Sequence, residues 1–147
     1  MQTLSTPPVF PAGRIFRVVI LCSLWIHISE VARYFLLIRA KMKSDFPELP
    51  HVADMNTGIF MIWGLWDTLL TAVCVIILWL MQQQFDRSRQ TILQAATLSW
   101  LALFVILWVG IANMGVGKWD TLWLALPWAW IELVVCSCLA TRLLGEE

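Results

Sequence analysis

Four long apolar stretches, set apart by short polar ones, govern what this chain can become. They run from about Ile15 to Ile38, Gly58 to Met81, Thr91 to Met114 and Thr121 to Leu144. Each is longer than the roughly 20 mostly apolar residues that cross a bilayer. Together they take about two thirds of the 147 residues, which leaves no room for a separate soluble domain. Residues 1–147 are therefore expected to form one integral membrane domain. Composition agrees: 60% of residues are hydrophobic and 14% charged, against roughly 45–50% and about 25% in soluble domains. Intrinsic disorder is excluded by the same numbers. Ten Lys and Arg balance ten Asp and Glu, so there is no basic surface for nucleic acid, and none is expected as a partner.

The connectors Arg39–Thr57, Gln82–Gln90 and Gly115–Asp120 are short enough to make consecutive helices antiparallel neighbours. The fold expected is all-α, a polytopic transmembrane four-helix up-down bundle. A membrane β-barrel would need alternating segments of about ten residues, and the chain has none. The first fourteen residues, with Pro7, Pro8 and Pro11, read as an irregular arm. Arg14 and Arg17 ahead of an apolar run imitate a signal peptide. However, no small-residue cleavage site follows, and Glu30 and Arg33 continue a longer span, so the segment reads as an uncleaved first helix. An even number of spans puts both termini on one side. Five cations flank the spans there (Arg14, Arg17, Arg87, Arg89, Arg142), against Arg39, Lys41, Lys43 and Lys118 on the other. The positive-inside rule then places both termini in the cytoplasm and the spans in the cell (inner) membrane. Cys22, Cys74, Cys136 and Cys138 lack zinc-finger or CxxC spacing and read as small buried hydrophobes.

Ionisable groups in hydrocarbon are costly and usually face the bundle interior. Here they are His27, Glu30 and Arg33 in the first span, Asp67 in the second and Glu132 in the fourth. Helical spacing puts Ser23, His27, Glu30 and Tyr34 on one stripe. Phe60, Gly64, Asp67, Thr71 and Cys74 make a second stripe, and Ala125, Trp128, Glu132 and Cys136 a third. At 1.5 Å per residue, Glu30, Asp67 and Glu132 lie about 13, 13 and 17 Å from the ends of their spans on the same side, with His27 at about 18 Å. Three carboxyls and an imidazole thus share one layer. Three acids face at most two cations, Arg33 and a protonated His27, and Arg33 has the reach to snorkel to the interface. At least one carboxyl is expected to hold its proton, and Asp67, with no basic residue in its own span, is the expected one. An acid beside a base is the raw material of proton transfer. The same groups also serve as interhelical hydrogen-bonding glue in many bundles.

Ten tryptophans are more than interfacial belts require. Trp79, Trp108, Trp119, Trp123 and Trp63 fit such belts; Trp25, Trp66, Trp100, Trp128 and Trp130 count out deeper. The deep rings either pack the core or wall a pocket for a cation or a flat apolar ligand. Pro127 removes a hydrogen bond to the Trp123 carbonyl and is expected to kink the last span beside that pocket.

No lysine lies within a span to anchor retinal, and His27 alone cannot ligate a bis-His haem. The single reversed His-x-x-Glu falls short of a di-iron set. No phosphate-binding loop, dinucleotide fingerprint or serine-hydrolase elbow occurs. No metal and no cofactor is expected. The arrangement is similar to the EXPERA membrane proteins, which include sterol isomerases and sigma-2-type receptors. The likeness lies in His27 and Glu30 in the first span, Asp67 in the second, and Pro127 and Trp128 in the last. It is a pattern across four spans without a shared contiguous motif, and it carries over no catalytic roles.

The expectation is a protein that holds a membrane lipid or hydrophobic small molecule, lipid- or terpenoid-like, against a proton-donating cluster. As an enzyme it would carry out acid–base isomerisation or cyclisation. The catalytic candidates are Asp67, Glu30, Glu132 and His27; Trp128, Trp66, Trp25, Tyr34 and Thr71 are the ligand-binding ones. The alternatives are a proton-coupled transporter or channel subunit using the same carboxyls as a relay, and a structural subunit without chemistry. Assembly as a homo-oligomer is compatible with each.

Overall fold

The computed structural model describes residues 10–52 and 54–145. It is all-helical, 84% helix without strands among the described residues. Four helices are long and apolar enough to cross a membrane: α1 (Ala12–Asp45), α2 (Thr57–Gln84), α3 (Arg89–Asn113) and α4 (Trp119–Gly145). Pro7 and Pro8 of the expected N-terminal arm lie outside the described residues. The helix begins two residues short of the arm's expected end, at Ala12 behind Pro11.

The helix ends follow local chemistry. Asn56 caps α2 by accepting from the Ile59 amide at 3.0 Å. Ser88 caps α3 through the Thr91 amide at 3.3 Å, the ordinary work of short polar side chains at a helix start. After α3 the chain turns at Gly115, whose φ of +73° lies in the left-handed region that glycine enters without a Cβ penalty. Gly115→Ala is expected to lose about 1–2 kcal/mol of stability. Gly110→Ala, where a Cβ meets nothing within 4 Å, is expected to gain up to about 1 kcal/mol from helix propensity. Unfolding of both variants in mixed micelles checks the pair.

The first connector is shorter than the sequence suggests, because α1 continues through Arg39–Asp45. The extension is held from the side: Asp45 accepts from the Thr121 hydroxyl at 2.9 Å, and Lys41 reaches Asp120 at 2.6 Å. Two π-helical turns, Tyr34–Ile38 in α1 and Leu101–Val105 in α3, interrupt the regular winding. Such turns need an extra residue per turn and often sit at functional places.

α1 packs on α2 and α4, and α3 packs on the same two. In the half of the molecule that holds the start of α1 and the end of α4, the core is tight. Val18, Cys22, Val75, Leu78, Cys136 and Ala140 are all but inaccessible there. Small residues at Ala95, Ala96 and Ala140 are fully buried, which lets α3 and α4 approach closely, as apolar solvent requires when packing alone must hold helices together. The outer surface is the reverse of a soluble protein's. Phe16, Leu36, Ile62, Ile106 and Trp123 are each about 70% exposed, a surface that only hydrocarbon covers without cost.

Candidate functional site

The stripes face inward. Ser23, Glu30 and Tyr34 of α1, Asp67, Thr71 and Cys74 of α2, and Ala125, Glu132 and Cys136 of α4 are all buried. Phe60, at the end of its stripe, is half exposed. The centre of the layer is Arg33. Its Nη2 pairs with Glu30 Oε1 one helical turn back. Its Nη1 lies 3.8 Å from Glu132 Oε2 and donates to the Ala125 carbonyl at 3.4 Å. Arg33 therefore stays in the layer and does not extend to the interface; two carboxylates and a carbonyl hold it. Glu132 is 2% exposed, and its second oxygen, Oε1, has no hydrogen-bond partner among the described residues.

Between α1 and α2 the layer opens into a groove of about 460 Å³, within the range of small-molecule sites. His27, Glu30, Asp67 and Thr68 provide its polar wall, and Trp63 and Met61 part of its apolar one. Asp67 has no cation within ion-pair reach among the described residues. The groove opens beside Phe60, Met61 and Leu65, all substantially exposed, so its mouth lies on the apolar outer surface. Gly64 forms part of the floor, where a Cβ would meet nothing within 4 Å. Behind Glu30 and Trp63 lies a smaller chamber of about 210 Å³ that also touches Arg33, Tyr34 and Trp108.

His27 is held in one orientation. Its Nε2 lies 3.0 Å from the Gly64 carbonyl and 3.4 Å from the Thr68 hydroxyl, which itself donates to the same carbonyl at 2.7 Å. A carbonyl only accepts, so Nε2 carries the hydrogen. Nδ1 makes no hydrogen bond among the described residues.

The tryptophans divide differently from the expectation of a pocket wall. Four indole N–H groups fasten α4 to its neighbours. Trp25 donates to the Glu132 carbonyl at 3.2 Å and Trp128 to Ser29 Oγ at 3.1 Å. Trp100 donates to the Leu126 carbonyl at 2.8 Å and Trp130 to Thr97 Oγ1 at 3.1 Å. Trp66 faces outward, 54% exposed. Thr71 is buried, with its hydroxyl on the Asp67 carbonyl at 2.7 Å. Tyr34 packs edge-on against Trp63, ring centroids 5.0 Å apart. α4 runs unbroken through Pro127, and the Ala125 and Leu126 carbonyls beside it take the Arg33 and Trp100 donors.

His27, Glu30 and Asp67 thus meet on one groove, with Tyr34 behind its Trp63 wall. Glu132 joins through Arg33, and Trp25, Trp128 and Trp66 lie elsewhere. Sequence reasoning passed over Trp63 and Gly64 as groove residues and Arg33 as the hub. A larger depression of about 580 Å³ runs along the outside of α3, where Gln90, Gln94 and Thr97 are its polar groups. It holds no titratable side chain and stands apart from the acid layer. No family model, curated protein or solved structure matches the chain, so the likeness to EXPERA proteins rests on arrangement alone.

Proposed function

We propose that this multi-pass membrane protein takes an apolar, lipid- or terpenoid-like molecule sideways into the groove between α1 and α2, where Asp67 exchanges a proton with it. The single observation behind this reading is the pairing of an apolar mouth on the outer surface with His27 and Asp67 on the inner wall. Glu30 is committed to Arg33 and Glu132 lies off the groove, which leaves Asp67 as the carboxyl free to react. On an alkene the chemistry balances simply. The carboxylic acid gives its proton to one alkene carbon to form a new C–H bond as the double bond opens. The carbon next to the resulting cation gives a proton back to the carboxylate, and the double bond closes one position along. The packed core of Val18, Cys22, Val75 and Leu78 weighs against a continuous conduit, so a relay across the membrane is the weaker reading.

The test is occupancy. A dodecyl chain carrying a diazirine, photolysed with the protein in lipid nanodiscs, is expected to label the α2 stretch around Met61 and Leu65. Gly64→Leu puts a side chain into the floor from a position where a Cβ meets nothing within 4 Å. It is expected to fold and to cut that labelling at least about tenfold, as the displaced hydrocarbon loses its buried contacts. Labelling spread evenly over all four helices, unchanged by Gly64→Leu, would falsify the reading.

A further inference from the structure

The hydrogen-bonding groups of the groove are unevenly used. The Arg33 guanidinium donates to Glu30 and the Ala125 carbonyl and faces Glu132. The Thr68 hydroxyl gives its hydrogen to the Gly64 carbonyl, and His27 Nε2–H points at that same oxygen. These donors are turned into the protein. The ring atom left over is His27 Nδ1, an acceptor in this tautomer, on a residue that borders the groove. Val31, Phe60, Met61, Trp63 and Leu65 make the apolar part of the wall, opposite the Glu30 and Asp67 carboxyls, and Gly64 leaves room for a chain to lie close to the helix. An acceptor facing a mostly apolar ligand discriminates: a ligand that brings a donor satisfies it, and one that brings only another acceptor leaves Nδ1 unpaired even where the Asp67 acid donates to that ligand.

We infer that the groove selects apolar alcohols, the hydroxyl donating to His27 Nδ1 and the hydrocarbon lying over Gly64. This rests on the ligand reading above and adds to it the class of the polar group. It also sorts the roles of the two groove residues. With Nδ1 occupied by the hydroxyl, His27 anchors the molecule and Asp67 is left to give a proton and take one back. Thr68 acts as a positioning residue, since it shares the Gly64 carbonyl that fixes the ring.

The chain has two histidines, and the other, His51, sits in the first connector with its side chain 91% exposed. In the His51→Asn protein every imidazole nitrogen signal therefore belongs to His27. The experiment uses that full-length variant in nanodiscs with nitrogen-15 histidine, titrated with dodecanol, dodecyl methyl ether and 2-dodecanone. Expected at rest are one protonated and one bare nitrogen. Dodecanol is expected to move the bare signal and to bind about tenfold tighter than the ether or ketone, the worth of one satisfied buried hydrogen bond. A resting imidazole protonated at Nδ1, or equal binding of all three probes, overturns the inference while leaving the ligand reading in place. Failure of all three probes to bind overturns both.

Discussion

Arg33→Met is expected to destabilise the fold more than any other single change in the layer, by about 3–5 kcal/mol, the usual result of removing one partner from a buried ion cluster. Methionine fills much of the same volume, so the loss is electrostatic rather than a cavity. Glu30 and Glu132, 9% and 2% exposed, would keep their carboxyls in a low-dielectric layer with no guanidinium to face, and the Ala125 carbonyl would lose its donor. Arg33→Lys is expected to fall between, because an ammonium is a point charge and cannot fork between two acids. The triple variant Arg33→Met, Glu30→Gln, Glu132→Gln removes the charges together and is expected to recover most of the loss. Reversible unfolding in mixed micelles measures all three. An Arg33→Met protein as stable as wild type would mean that these acids need no counter-charge.

Much of this layer was legible from spacing alone. The +4, +3 intervals on three spans oriented Glu30, Asp67 and Glu132 towards one another, because a helix in hydrocarbon has one direction in which a carboxyl is tolerable. Spacing could also have found Trp63. It stands four residues before Asp67 and shares its face, whereas Trp66, one residue before Asp67, is turned by about 100° along a 3.6-residue helix. Ranking tryptophans by depth, without azimuth, favoured the wrong neighbour. Arg33 is a different case. Its i,i+3 spacing from Glu30 makes that pair legible on a helical wheel, but its long side chain also carries the charge across to Glu132 on α4, a reach that no helical wheel records. The two π-helical turns and the shared Gly64 carbonyl leave no sequence signature. The carbonyl contact arises from how α1 and α2 meet, and the turns lie in α1 and α3.

The indole hydrogen bonds fit the same physics. In a bundle without a hydrophobic drive between its helices, each N–H buried in hydrocarbon must find an acceptor. Trp25, Trp100, Trp128 and Trp130 all find theirs across a seam with α4. They serve to hold α4 in register, which in turn brings Glu132 and the Ala125 carbonyl to Arg33. Four of the ten tryptophans thus help to position the layer, and Trp63 is the one that lines the groove, beside Phe60.

Asp67→Asn separates chemistry from scaffolding. The amide has nearly the shape of the acid and keeps hydrogen-bonding capacity, but it cannot give and regain a proton. Asp67 has no ion-pair partner to lose among the described residues. Its backbone carbonyl, which accepts the Thr71 hydroxyl, is untouched by the change. Folding and labelling by the diazirine probe are therefore expected to stay close to wild type. Proton transfer is expected to fall by about 100- to 10,000-fold, the range a positioned acid or base contributes. The measurement is deuterium uptake from heavy water into an unsaturated terpenoid alcohol bound to the protein, followed by mass spectrometry, since protonation and deprotonation at carbon write deuterium into the ligand whether or not the double bond ends up moved. Glu132→Gln is the matched control: Glu132 touches Arg33 and not the groove, so the exchange rate at the ligand is expected to survive it. Exchange that persists in Asp67→Asn and disappears in Glu132→Gln would shift the acid to the far side of Arg33. Wild-type exchange no faster than in empty nanodiscs would leave a binding protein without this chemistry.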